Sequence, residues 1–352
     1  MAFVTVAIWG STFVFTKMLL QSGLTPAQIF TFRFIIAYIL LLGYSVFFCK
    51  RSGKAERTHH NSLFSSSWRD ELLMVALGIT GGSVYFLAEN AAMLYTTATN
   101  TSLIVCSCPL FAMLLFAIVY RHSEHISKLQ ALGSVVACMG MAIVVLNGHF
   151  VLHLSPLGDM LAFAACLCWA VYSLLIKAAF ERGHSDVCIS SAEREQSRPK
   201  VKAAFERGHS DVCISSAERE QSRPKFKRTT DRYSSLFITR KVFFYGLLTI
   251  IPYYILRPNE ASLFTTSLFQ FFNLSILLNL LFLGVIASMV CYLLWNWVIS
   301  KLGAVVATNW VYFNPITTIC FAWWLLDEKI TVWFLLGSAL ILTGMYLADK
   351  KQ

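Results

Sequence analysis

Apolar residues in this chain come in near-continuous blocks about as long as a bilayer is thick, and the charged residues gather between them. A helix needs about 20 apolar residues to cross a hydrocarbon core of about 30 Å. Ten such stretches are expected, at 2–20, 26–48, 71–95, 100–119, 128–146, 157–179, 236–256, 274–299, 304–326 and 331–348. Thr25 before Pro26, and Ser155 before Pro156, place a capping hydroxyl ahead of a proline at the first helical position. The opening stretch has neither a basic lead-in nor a small-residue cleavage site, so it reads as a spanning helix rather than a signal peptide.

Composition sharpens this picture. Of 352 residues, 57% are hydrophobic and 14% charged, against about 45–50% and about 25% in soluble domains. The mean hydropathy is +0.61. A soluble globular domain, a disordered chain, a fibrous repeat and a disulfide scaffold are all excluded. The expected fold class is all-α and integral to the membrane. Most of the ten cysteines, among them Cys106, Cys108, Cys138, Cys166, Cys168, Cys291 and Cys320, lie in apolar runs, where free Cys acts as a small hydrophobe. The two C-x-C pairs turn their sulfurs about 200° apart on a helix and make no metal clamp.

Positive charge sets the orientation, because cytoplasmic loops retain Lys and Arg. With the N-terminus inside, 25 of the 29 basic residues fall in inside segments, leaving Lys17, Arg33, Arg257 and Lys329. Both termini are expected in the cytoplasm. The net charge of +10 then follows from topology, without a nucleic-acid partner.

Two repeats are visible. The first relates the halves of the chain: Trp9-x7-Lys17 answers Trp169-x7-Lys177, and Arg33 with Tyr38 answers Arg240 with Tyr245. Leu77-Gly78, Val84, Leu87 and Asn90 answer Leu283-Gly284, Val290, Leu293 and Asn296, and Pro109 answers Pro315. Glu124-x-Ile126-Ser127-x5-Gly133-x6-Gly140 answers Glu328-x-Ile330-Thr331-x5-Gly337-x6-Gly344. An odd number of helices per half makes the halves cross in opposite directions, the design many secondary transporters use around a central site. The second repeat is an unchanged 24-residue duplication, 177–200 recurring as 202–225. It is too polar for lipid and reads as part of a cytoplasmic loop.

These residues together resemble the ten-helix drug/metabolite transporter superfamily, of the EamA type. The carrying positions are Trp9-Gly10-Ser11-Thr12, Arg33, Pro109 and the Glu-x-Ile-Ser/Thr-x5-Gly pattern that opens the fifth and tenth stretches. The resemblance implies two EamA units forming a basket around a central cavity, with the fifth and tenth helices peripheral. The domains are then 1–147, 156–180 plus 232–350, and a loop at 181–231. It also implies movement of small metabolites or amino acids, often outward.

Three charges fall within the outer half of the first three stretches. Counted inward along the helical rise, Lys17 is about 6 Å deep, Glu89 about 9 Å and Arg33 about 10 Å. Charges at such depth pair or face a cavity. A cluster of Glu89 with Arg33, Lys17 or both is expected, as an outer gate, a proton-coupling site or a fixed salt bridge; Lys17 also has the option of snorkelling. The second half answers Glu89 with Trp295, so the acid has no mirror. Trp9, Thr12, Trp169 and Tyr172 are cavity candidates through the resemblance. Asn90, Asn296 and Asn314 are candidates because amides at depth bond either a polar solute or another helix. Pro109 and Pro315 are expected to kink their helices, and the four repeated glycines to let helices pack closely.

No G-x4-G-K-[ST] loop is present for nucleotide phosphates, and His122-Ser-Glu-His125 is not H-E-x-x-H. No cofactor or metal is expected. The function expected is a secondary transporter or facilitator of small organic solutes, not an enzyme, multi-pass in the cell membrane and bacterial inner membrane. Its partners are a small-molecule solute and the lipid bilayer, with a homodimer left open. The alternatives are an integral-membrane enzyme acting on lipid-linked substrates and a scaffold using the duplicated loop.

Overall fold

The computed structural model describes residues 1–51, 67–96, 98–119, 127–146, 155–205, 234–260, 273–326 and 332–349. Among them all regular structure is helical. The chain divides into two compact units, Met1–Lys177 with Ser235–Gln352, and Ala178–Ser234.

The larger unit begins with α1 (Ala2–Gln21) and α2 (Pro26–Arg51). Between them Gly23 takes a φ of 95°, a left-handed turn that glycine adopts without a Cβ penalty. Pro26 then opens α2 behind a reciprocal cap. The Thr25 N–H donates to Gln28 Oε1 at 3.0 Å, and the Gln28 N–H donates to Thr25 Oγ1 at 3.3 Å. Ser127 and Gln130 repeat this box at 3.0 and 3.1 Å.

The third stretch is interrupted: α3 (Trp68–Gly78) passes through a π-helical turn, Ile79–Ser83, into α4 (Val84–Tyr95). The backbone leaves helical geometry at Gly82, with φ −126° and ψ −105°. The fourth stretch is likewise two pieces, α5 (Ala98–Cys106) and α6 (Cys108–Val119). Next come α7 (Lys128–Leu146) and α8 (Pro156–Phe205). The sequence reading ends the sixth helix near residue 179, whereas helical backbone continues to Phe205. The added segment contains the run Ala192-Glu193-Arg194-Glu195-Gln196, residue types that favour helix without needing a buried face. Positions 206–225 of the duplication lie outside the described residues.

The rest of the larger unit holds α9 (Ser235–Thr249), α10 (Ile251–Leu256) and α11 (Leu274–Leu281). A second π-helical stretch, Phe282–Val290, leads into α12 (Cys291–Leu302). Then follow α13 (Ala304–Asn309), a 3-10 turn at Trp310–Phe313, α14 (Asn314–Leu326) and α15 (Val332–Asp349). Six helical runs among the described residues are long and apolar enough to cross a membrane, and Ile104–Val119 and Leu335–Ala348 are shorter apolar runs.

Packing follows the logic of a chain in lipid, where close backbone approach replaces the hydrophobic drive. Helices α7 and α15 run antiparallel. A Cβ on Gly133 would lie 2.5 Å from the Ala348 nitrogen, and one on Gly140 2.6 Å from that of Ile341. Gly344 is as tight, with Ala137 N at 2.3 Å from the site of its absent Cβ. On the outside, large apolar side chains such as Ile39, Ile118, Leu335 and Tyr346 stay exposed, as expected of faces turned to acyl chains.

Candidate functional site

A cavity opens between α1, α2, α4, α8, α12 and α14, with further wall from α5, α6 and the 3-10 turn. One side is aromatic. Trp9 meets Trp169 edge to face with ring centroids 5.2 Å apart, and Tyr85 lies 5.1 Å from Trp169. Phe86 and Tyr292 complete that wall. Trp9 is fixed by its indole N–H, which donates to the Ala287 carbonyl at 3.0 Å. Ala287 lies in the second π-helical stretch, where the ordinary helical bond pattern is broken.

The polar side carries one cation and one anion. Arg33 is 2% exposed; its Nε donates to Ser288 Oγ at 2.9 Å, and its guanidinium carbon stands 4.2 Å over the Phe86 ring. Glu89 accepts the Tyr85 hydroxyl at 2.9 Å. Each charge is thus oriented by its own neighbour while both line the same space. Asn314 adds an amide whose buried Oδ1 has no hydrogen-bond partner among the described residues.

Of the residues expected from the sequence, Trp9, Thr12, Trp169, Asn314, Arg33 and Glu89 line this cavity. Lys17 does not; its Nζ donates to the Met93 carbonyl at 2.6 Å. Asn90 is also elsewhere, donating to the Pro26 carbonyl at 3.1 Å and so tying α4 to the start of α2. Tyr172 and Asn296 are structural partners behind the wall. The Tyr172 hydroxyl donates to Asn296 Oδ1 at 3.0 Å, and Asn296 Nδ2 donates to Thr239 Oγ1 at 2.8 Å. Asn296 thus accepts from a buried hydroxyl on one facing helix and donates to a buried hydroxyl on another. Pro109 and Pro315 stand in the first turn of α6 and α14, the one just after the interruption at Ser107 and the other just after the 3-10 turn at Trp310–Phe313.

Sequence reasoning missed Phe13, Tyr85, Phe86, Val105, Cys108, Tyr292 and Val311 in the lining. It also missed a buried cluster away from the cavity, in which Lys241 and the Tyr245 hydroxyl both donate to Glu71 Oε1. Among the described residues no three His, Cys, Asp or Glu side chains are grouped to hold a metal ion.

The EamA-like transporter family matches residues 1–146 and 224–348. The chain belongs to that family. It is similar to two proteins of Archaeoglobus fulgidus, each named an uncharacterized transporter. One is 23% identical across 99% of this chain and 96% of the relative, the other 21% identical across 99% and 97%. A chain solved by crystallography superposes with a TM-score of 0.60 at 13% identity, over 99% of this chain and 95% of that one. The family member is therefore a multi-pass membrane protein with a transporter's role.

Proposed function

We propose that this EamA-family chain is a secondary transporter or facilitator that exports small organic solutes, amino acids or related zwitterions, by alternating access. The observation that carries the reading is the cavity holding Arg33 and Glu89 against a wall of Trp9, Trp169, Tyr85 and Tyr292. A guanidinium fork suits a carboxylate, a buried carboxylate suits an ammonium, and the aromatic faces accept an apolar body or a cation. The unpartnered Oδ1 of Asn314 offers a further acceptor to the same solute.

The proposal includes ten crossings arranged as two inverted five-helix repeats, 1–147 and 156–180 plus 232–350, the second interrupted by a cytoplasmic loop at 181–231. Three features support it. The Gly133–Gly344 and Gly140–Gly337 approaches exchange into one another when positions are shifted by the Gly133-to-Gly337 offset. The π-helical turns at Ile79–Ser83 and Phe282–Val290 fall at matching places in the two halves. Trp9 and Trp169, equivalent by sequence, touch. Both termini then face the cytoplasm of a cell whose plasma membrane holds the protein.

Counterflow in proteoliposomes preloaded with pooled amino acids and small metabolites tests this. Solute-dependent exchange by wild type, lost in Arg33→Met, supports the reading and names the solute class. No exchange by folded protein across a broad pool rejects it.

A further inference from the structure

The cluster at Glu71 lies far from the cavity and is built with unusual care. Glu71 in α3 and Lys241 in α9 are both buried, at 9% and 3% exposure, and Tyr245, one turn on from Lys241, donates to the same carboxylate oxygen. Glu71 and Glu89 belong to one interrupted helical run, so they stand about 27 Å apart along it at the ordinary helical rise. That is close to the full bilayer core of about 30 Å. The anion of the cavity and the anion of this cluster therefore sit toward opposite membrane faces.

Between them α3 and α9 form a seam with no room to spare. A Cβ on Gly78 would fall 2.5 Å from the Tyr245 Cβ, and one on Gly82 3.2 Å from the Gly246 Cα. Ser83 Oγ and Thr249 Oγ1 share a hydrogen bond of 2.7 Å at the seam's other end. Above the cluster, Phe34 and Phe243 meet at 4.8 Å, and the Tyr292 hydroxyl, from the cavity wall, donates to the Gly81 carbonyl at 2.5 Å. The sequence of layers from cavity to membrane face is thus Tyr292, the Phe pair, then the charged cluster.

We infer that Glu71, Lys241 and Tyr245 are a latch that holds the face opposite the cavity closed by locking α3 to α9. A buried ion pair is poor at raising overall stability but costly to break from one side, which suits a contact that must be either fully made or fully separated. This rests on the alternating-access reading above. Its test, however, needs no solute, so the two fail separately.

The experiment places a cysteine at Ser83, which is buried on the seam, and applies a membrane-impermeant maleimide to right-side-out and to inverted vesicles. Labelling at the site is read by peptide mass. Glu71→Gln and Lys241→Met are expected to raise the S83C labelling rate at least tenfold from one membrane face only, and Tyr245→Phe to raise it less. The exchange variant E71K/K241E is expected to bring the rate back down. Unchanged labelling in the single variants, or an equal rise from both faces, overturns the latch.

Discussion

Trp9 and Trp169 stand edge to face, 5.2 Å between ring centroids, one from α1 and the other from α8. Aromatic pairs of this geometry contribute about 0.5–1.5 kcal/mol beyond their buried area. Here the pair also forms the cavity wall, with Trp9 anchored to the carbonyl of Ala287. Trp169→Phe should preserve the fold and most solute binding. Trp169→Ala should remove the wall and destabilise the protein by about 3 kcal/mol. Melting in detergent together with solute-induced thermal shifts separates the two effects.

Glu89 is the acid whose role divides the readings. In Glu89→Gln, exchange driven by a pH gradient should fall to the level seen without one, and counterflow at equal pH should weaken because the solute's ammonium loses its carboxylate partner. If gradient dependence is unchanged, Glu89 carries no coupling proton and serves solute binding or structure alone.

The glycines make a sharp contrast. A methyl at Gly344 meets backbone at 2.3 Å, whereas nothing lies within 4 Å of one at Gly43. Gly344→Ala should cost about 1–3 kcal/mol, because α7 must move bodily away. Gly43→Ala should be neutral or add roughly 0.5–1 kcal/mol through helix propensity. Thermal melting of the two variants side by side is sufficient.

Asn296 receives the Tyr172 hydroxyl and donates to Thr239, joining α8, α12 and α9. Asn296→Ala takes away the acceptor of the buried Tyr172 hydroxyl, while Thr239 keeps its bond to the Ser235 carbonyl, so stability should fall by about 1–3 kcal/mol. Solute affinity of the folded fraction should change little, since Asn296 is outside the lining.

Removing 202–225 should leave counterflow within about twofold of wild type, because the duplicate repeats the chemistry of 177–200. Loss of exchange from well-folded deletion protein would assign that stretch a part in transport.

The helical positions were legible because lipid demands long apolar blocks, and Arg33 and Glu89 stood out as charges inside them. Tyr85, Phe86 and Tyr292 did not stand out, for a related reason. In a soluble helix the buried face differs in polarity from the exposed one, whereas in a bilayer both are apolar and an aromatic at a cavity resembles one facing lipid. Glu71 and Lys241 were overlooked differently. Each falls at the end of an apolar stretch, where charges usually meet the headgroups, and only the approach of α3 to α9 shows them buried together. The helix breaks at Gly82 and Ser107 were equally hidden, since propensity spreads its signal over whole turns.

The contact between α7 and α15 is made by peptide groups rather than by interchangeable side chains. Its affinity is written into the main chain, so it does not depend on the covalent connection that runs through 206–233. A chain nicked in that connection would keep its two fragments as a non-covalent pair in the membrane, and the gene could be divided there into separately translated subunits.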